Sequence, residues 1–298
     1  MISTILRRRL TLGGLAVAAL VAIGASTSQA ADPFVAGGRS TRHVDLPTRG
    51  ADAAKARGHA VLTALGVAGA RETVERLNDR FDHRTYDEVT SLDSRGRPVA
   101  ITRLDLDGSV GMAVALGWHR VGGAAVDGPG AVARANASAL AAGLSPHGRP
   151  DVRASAGAGG WVVSWPRFVG DVPVRGDGLR ILLFADGTFH GLTRTERPLA
   201  AVPARILDRD AVRVLAERAV ASRAGSRAGD LGVAAVELAW LAPNARPDGT
   251  TLDAPDETLR LAWVVRFEAT GPLADALRTI EVWLDAGDGH SLGGDVIE

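Results

Sequence analysis

The sequence predicts an α+β protein: antiparallel β-sheets, each packed by a helix, as two tandem helix-plus-sheet units behind an amino-terminal helix-plus-meander extension. Three observations predict it. The hydrophobic period switches between helical and alternating several times along the chain. Asp107-Gly108, Asp186-Gly187 and Asp288-Gly289 sit between apolar runs, as hairpin turns do. A strand-rich stretch also recurs: Trp161-Val162-Val163 returns as Trp263-Val264-Val265, and Asp186-Gly187 as Asp288-Gly289, both at an offset of 102 residues.

Residues 1–30 read as a secretory signal peptide. Arg7, Arg8 and Arg9 open it, an apolar run of Leu, Ala, Val and Gly follows, and Ser28-Gln29-Ala30 ends it with small residues at the two positions a signal peptidase reads. The arginines ahead of Leu10 fit twin-arginine export as well as the general secretory route. Retention as a membrane anchor is the alternative to cleavage, although the run is short and interrupted by glycine for a spanning helix. Residues 31–50, rich in Gly, Arg, Ser and Pro, read as a flexible linker.

The unit at 51–128 begins with an Ala-rich helix over 51–65, which Gly66 or Gly69 ends. Val74, Leu77 and Phe81 then stand at helical spacing over 70–81. Strands follow at 84–92, 98–106 and 109–118, with turns at 93–96 and at Asp107-Gly108. The unit at 129–200 places a helix at 129–144, with Pro129 near its start and Gly143 near its end. Strands are expected at 151–156, 161–168, 179–185 and 188–193. The unit at 201–298 starts a helix at Asp208, a good cap, and gives it an apolar stripe of Ala211, Val212, Leu215 and Ala219. Strands at 233–241, 259–269 and 278–284 and a short last strand complete it. Alternation puts Leu179, Ile181 and Leu183 on one face of their strand, and Trp263, Val265 and Phe267 on one face of theirs.

Composition limits the function classes. Lys+Arg and Asp+Glu are both 34, and removing Arg7–Arg9 with the leader leaves acids three in excess. Lys55 is the only lysine. Charges of both signs are interspersed, so no broad surface for nucleic acid or anionic membrane is expected. With no cysteine there is neither a disulfide nor a lipid-modified cysteine, and stability must come from a buried core. After cleavage the chain is expected to be soluble, without stable membrane insertion.

The repeated stretch carries a family resemblance. Trp161-Val162-Val163 leads to Gly170-Asp171-Val172-Pro173-Val174-Arg175-Gly176-Asp177, and then to Phe184-Ala185-Asp186-Gly187. The later copy has Leu261-Ala262-Trp263-Val264-Val265 and Val282-Trp283-Leu284-Asp285-Ala286-Gly287-Asp288-Gly289. Over about residues 131–298 these resemble the PepSY-like domain and its relative in the propeptides of thermolysin-type and fungalysin-type metallopeptidases. The pattern there is a helix, an aromatic-apolar strand start, a Gly-x-Pro-Val-x-Gly-Asp step and a strand ending in Asp-Gly. The resemblance implies two tandem PepSY-like units in an exported accessory protein that packs against a protease or another envelope protein. The later copy lacks the Gly-x-Pro-Val step, and no His-Glu-x-x-His follows or precedes it.

No reactive constellation stands out. His43, His59, His83, His119, His147, His190 and His290 include no pair at helical ligand spacing, and there is no thiol to complete a zinc set. Asp105-Leu106-Asp107-Gly108 and Asp285–Gly289 lack the spaced oxygens and distal Glu of a calcium loop. There is no Gly-x-Ser-x-Gly elbow and no phosphate-binding loop. No catalytic residue, cofactor or metal ligand is therefore assigned. The one candidate partner-binding edge is Gly170, Asp171, Val172, Pro173, Val174 and Arg175, where glycines and a proline are expected to break the ladder over 170–178. The competing reading is an edge that Pro173 protects from pairing.

The function expected from sequence is a secreted, non-enzymatic module that binds or modulates another exported protein, a protease among the candidates. An envelope scaffold without a protease partner is the alternative. An enzyme that assembles carboxylates from distant segments is the third reading.

Overall fold

A computed structural model of the chain describes residues 41–44, 48–79, 84–116, 122–155, 159–245, 258–274 and 277–297. The expected leader, most of the linker, and Phe81, His83 and His119 lie outside these residues. The chain is α+β, and it divides into two compact units. The first takes in Asp32–Arg167 and Gly176–Glu196; the second, in its described part, Phe168–Arg175 and Arg197–Glu298.

In the first unit, β1 (Thr41–Val44) precedes α1 (Thr48–Ala64), and then β2 (Arg71–Asp79), β3 (Thr85–Leu92), β4 (Pro98–Asp105) and β5 (Val110–Ala115) form an antiparallel meander. Helix α2 (Gly128–Ala141) leads to β6 (Asp151–Ala154), β7 (Trp161–Val169), β8 (Val172–Leu183) and β9 (Phe189–Thr195). Strand β9 pairs with both β8 and β5, which joins the two meanders. Both helices end in Schellman caps, as their glycines predict. Gly66 and Val67 donate to the carbonyls of Thr63 and Leu62, and Gly143 and Leu144 to those of Leu140 and Ala139. At the other end of α2, the Asp127 carboxylate accepts from the Gly130 N–H at 2.8 Å.

One core joins these elements. Val61 and Leu62 from α1 and Ala131, Ala135 and Ala139 from α2 are fully buried with Val89, Leu104, Ile181, Leu183 and Leu192. The alanines of α2 let its backbone lie close to the strands. The alternation read in the sequence places Leu179, Ile181 and Leu183 in this core.

The second unit has α3 (Arg209–Ala224) and the antiparallel strands β10 (Leu231–Leu241), β11 (Arg260–Ala269), β12 (Thr279–Asp285) and β13 (Ser291–Ile297). Asp208 caps α3 through the Asp210 N–H at 2.8 Å. Val212, Ala216 and Val220 of α3 pack on Val236, Val265, Phe267, Ile280, Val282 and Leu284.

Two expectations are corrected. Residues 70–81 are not helical: Arg71–Asp79 is a strand paired with β3 from Arg71↔Leu92 to Asn78↔Thr85. Val74 and Leu77 are three apart, so in a strand they point to opposite faces. Val74 packs on the core under the helices, and Leu77 is buried on the other face opposite Tyr86. Two apolar residues that mimic a helical stripe therefore serve two faces, and tertiary pairing decides the outcome. The second correction concerns 170–178. The chain turns at Gly170-Asp171, and Val172–Leu183 is then one continuous strand through Pro173, Gly176 and Gly178.

The order of helix followed by four antiparallel strands thus occurs three times among the described residues. The last hairpin of each has the same construction. Asp107, Asp186 and Asp288 each accept the N–H two residues on, from Ser109, Thr188 and His290. The glycines after them have φ of 81°, 78° and 77°. A register shift falls just before each turn, beside Leu104, Leu183 and Leu284, which are 1%, 2% and 3% exposed. The third turn is one residue longer, closed by the Asp285 N–H donating to the His290 carbonyl.

The last strand is closed by a side chain. Asn244 donates to the Gly294 carbonyl at 2.8 Å and accepts the Gly294 N–H at 3.1 Å, as a neighbouring strand would. Gly293 has φ 120°, and a Cβ there would stand 1.6 Å from Asn244 Oδ1. Asn244→Ala is expected to lower stability by about 1–3 kcal/mol, the cost of two unsatisfied backbone groups. The check is a lower denaturant midpoint at unchanged slope. An unchanged midpoint would show that this amide does not close the edge.

Candidate functional site

The segment singled out in the sequence, Gly170 to Arg175, lies in the second unit. Gly170 and Asp171 form the exposed turn, and Phe168 just before them is 56% exposed. Val172 and Pro173 are half-buried. Val174 is 2% exposed and pairs in parallel with Trp240 of β10. It packs with Trp240, Leu259 and Leu261. The inner half of the segment is therefore committed to partners in its own chain, and the outer half faces solvent.

Arg175 anchors the segment. Its guanidinium takes both carboxylate oxygens of Glu281 on β12, through Nη1 to Oε2 and Nη2 to Oε1. Arg266, the cross-strand neighbour on β11, donates to Oε1 from Nε at 3.3 Å and Nη2 at 3.2 Å. Trp283 adds its indole N–H to Oε2 at 3.2 Å. The Arg175 carbonyl in turn accepts from Arg197 at 2.7 Å. Glu281 is 5% exposed, so a carboxylate is buried under two cations and an indole.

The electrostatics follow from this packing. Burial alone would push the Glu281 carboxyl up, but the hydrogen bonds and charge of Arg175, helped by Trp283 and Arg266, hold it below the ordinary glutamate value. Asp295, opposite Glu281 on β13, goes the other way. Burial raises it, only partly offset by the Val296 N–H, and the Glu281 charge raises it further against the pull of Arg175. Such an arrangement holds strands together. It offers no nucleophile beside a base, because every polar atom of Glu281 is already engaged by a cation or an N–H.

A cleft of about 430 Å³ lies in the first unit beside α1, lined in part by Ala53, Arg57, Arg76, Asp87 and Asp105. Several of its charged groups are engaged by neighbours in the chain. Arg76 grips Asp87 with two bonds of 2.7 and 3.0 Å. Arg57 donates to the carbonyls of Gly108 and Ala142.

Three described histidines make separate local contacts. His59 bonds Glu72 at 2.7 Å, His190 stacks on Phe184 with ring centres 4.6 Å apart, and His290 pairs with Asp288 beside its turn. Among the described residues, no three His, Cys, Asp or Glu side chains are grouped to hold a metal ion. No described helix is long and apolar enough to cross a membrane. What sequence reasoning missed is the pairing of Arg175 with Glu281, 106 residues apart. An Arg beside a Pro-Val step and a Glu inside an apolar strand were both visible, but nothing local links them.

No family model matches the chain, and no curated protein matches it. Among solved structures it is similar to the Bacillus megaterium YpeB C-terminal domain. The TM-score is 0.45 and the identity 12%, over 86% of this chain and 99% of that one.

The carboxylates make a signed prediction. Glu281 has a lowered folded value, so its contribution to stability is present above its ordinary value and is lost as pH falls through the folded one. Glu281→Gln should cost roughly 2 kcal/mol near pH 7, less than for a fully buried pair because both guanidiniums keep part of their surface in water. Asp295 has a raised folded value, so its charge opposes folding once pH rises above the ordinary aspartate value. Asp295→Asn should raise the melting temperature near pH 7, with the gain vanishing below about pH 4. Melting curves of the variants from pH 3 to 8 check both signs. A gain for Asp295→Asn that persists unchanged at pH 3 would contradict the assignment.

Proposed function

We propose that this chain is a secreted, non-enzymatic module of tandem PepSY-like units that binds or modulates another exported protein, an exported protease being the first partner to test. The observation that carries the reading is the recurrence of one order: a helix, four antiparallel strands and a last hairpin in which an Asp before a left-handed glycine accepts the N–H two residues on. Its last two occurrences cover the stretch whose residues resemble the PepSY-like pattern, and the first adds a further unit of the same order. The placement of polar groups agrees with binding rather than turnover. The buried carboxylates Glu281 and Asp87 serve as strand-to-strand ion pairs, and the exposed features are turns such as Gly170-Asp171 beside Phe168.

The mature chain, immobilised and exposed to culture supernatant, is expected to retain a specific exported protein and to change the activity of an exported protease at stoichiometric concentration. Phe168→Ala and Asp171→Arg together should weaken that retention while leaving the melting temperature within about 2 °C, as surface changes do. Failure to retain any exported protein, with no effect on any exported protease, would reject the reading.

A further inference from the structure

Strand β13 is the last in the ladder that runs from β10 through β11 and β12, and its outer half is lightly held. Among its described side chains only Leu292 is buried in an apolar cluster. Gly293 and Gly294 bring no side chain to the packing, and Val296 is half-buried. The Asn244 amide braces the backbone at Gly294, one residue short of Asp295. From Asp295 to Ile297 the described pairing is with Glu281, Ile280 and Thr279 of β12.

The first of those pairs sets two carboxylates face to face, Asp295 directly across from Glu281. Among the described residues, the charged groups that share this corner are Glu281 from β12, Arg175 from β8 and Arg266 from β11. Both guanidiniums bond Glu281. Neither bonds Asp295, whose carboxylate accepts the N–H of its own neighbour Val296 at 2.9 Å. Glu268 and Asp285 lie farther along the same face of β11 and β12, and Asp285 pairs with Arg260 at 3.5 Å. Like charges directly across a ladder oppose its pairing. Glu281 is pinned by two arginines and the Trp283 indole. Asp295 is the one free to leave, since two glycines precede it and no described strand flanks β13 on its other side.

We propose that the outer half of β13, Asp295–Ile297, is a pH-sensitive flap hinged at Gly293-Gly294: it closes on β12 when Asp295 is protonated and opens more readily when Asp295 is charged. The flap covers or frees the backbone of Thr279–Glu281, and it needs no partner to act. In the open strand Asp295 is in water and titrates as an ordinary aspartate. In the closed strand burial and the Glu281 charge raise it, against the Val296 N–H and the pull of Arg175. Closure is therefore tightest below the ordinary aspartate value and weakens as pH rises from there through the raised one. Glu281 stays charged across this window, because its own carboxyl is held below the ordinary glutamate value.

Hydrogen exchange of the full mature chain, corrected for the intrinsic dependence on pH, reads the opening. Amides of Gly294–Ile297 should exchange faster than those of β11, and at a rate that low urea leaves unchanged, the sign of a local opening. Their protection should fall by about twofold or more as pH rises from about 4 to 7. In Asp295→Asn that protection should stay high and flat, and in Asp295→Glu, which keeps a titrating group, the dependence on pH should return. Three results would overturn the flap. One is protection at Gly294–Ile297 that does not change with pH in the wild-type chain. Another is exchange there that matches β11 in rate and in its response to urea, which makes the opening global. The third is a dependence on pH in Asp295→Asn as large as in the wild type. The first two need no variant, so they decide even where a substitution prevents folding.

Discussion

The constraint on which the rest of the structure depends is strand register. Side chains alternate along a strand, so a slip of one residue would turn every core residue outward. Each of the three meanders sets its final register at an Asp-Gly turn. The carboxylate takes the N–H two residues on, the glycine adopts a left-handed conformation, and the leucine just before the turn enters the core. With the register fixed, Val212 and Phe267 meet in the second unit, and Ala135 and Ile181 join one core in the first. The helices then need only small or aliphatic residues at a regular spacing to lie on the strands.

The same logic explains how polar groups are used. Glu281 lies on the face of β12 that the helix does not cover, with Arg266 as its cross-strand neighbour. A buried carboxylate needs full compensation. Arg175, arriving on another segment, supplies it and fixes where Val174 pairs with Trp240. The binding reading and the buried charges are thus compatible: charge is used inside the molecule on strand pairing, and turns such as Gly170-Asp171 are left outward.

Much of the fold was legible in the sequence where the cause is local. Asp208 and Pro129 mark helix starts, Gly66 and Gly143 mark helix ends, and the Asp-Gly pairs mark hairpins, because caps and turns depend on a few adjacent backbone groups. Two places were not legible, and both depend on distant residues. Arg71–Asp79 is a strand because β3 pairs with its whole length, while its Val74 and Leu77 mimic a helical stripe by serving opposite faces. Beyond the turn at Gly170-Asp171, residues 172–178 stay in strand form despite Pro173 and the glycines, because Val174 and Arg175 find partners about 66 and 106 residues later. The candidate edge was visible as an interruption in pattern. That half of it is used internally was not, since neither Trp240 nor Glu281 carries any local sign of its contact.

The most direct test of the register account compares Gly108→Ala, Gly187→Ala and Gly289→Ala in one denaturation series. A Cβ at Gly108 meets nothing within 4 Å, so its substitution isolates the left-handed strain, about 1–2 kcal/mol. At Gly187 a Cβ would stand 3.0 Å from Arg134 Cγ, and at Gly289 2.7 Å from Leu215 Cδ1, so both should cost more than Gly108→Ala. Loss of stability in all three, least at Gly108, is the predicted result. Three variants as stable as the parent would contradict the claim that these turns hold the register.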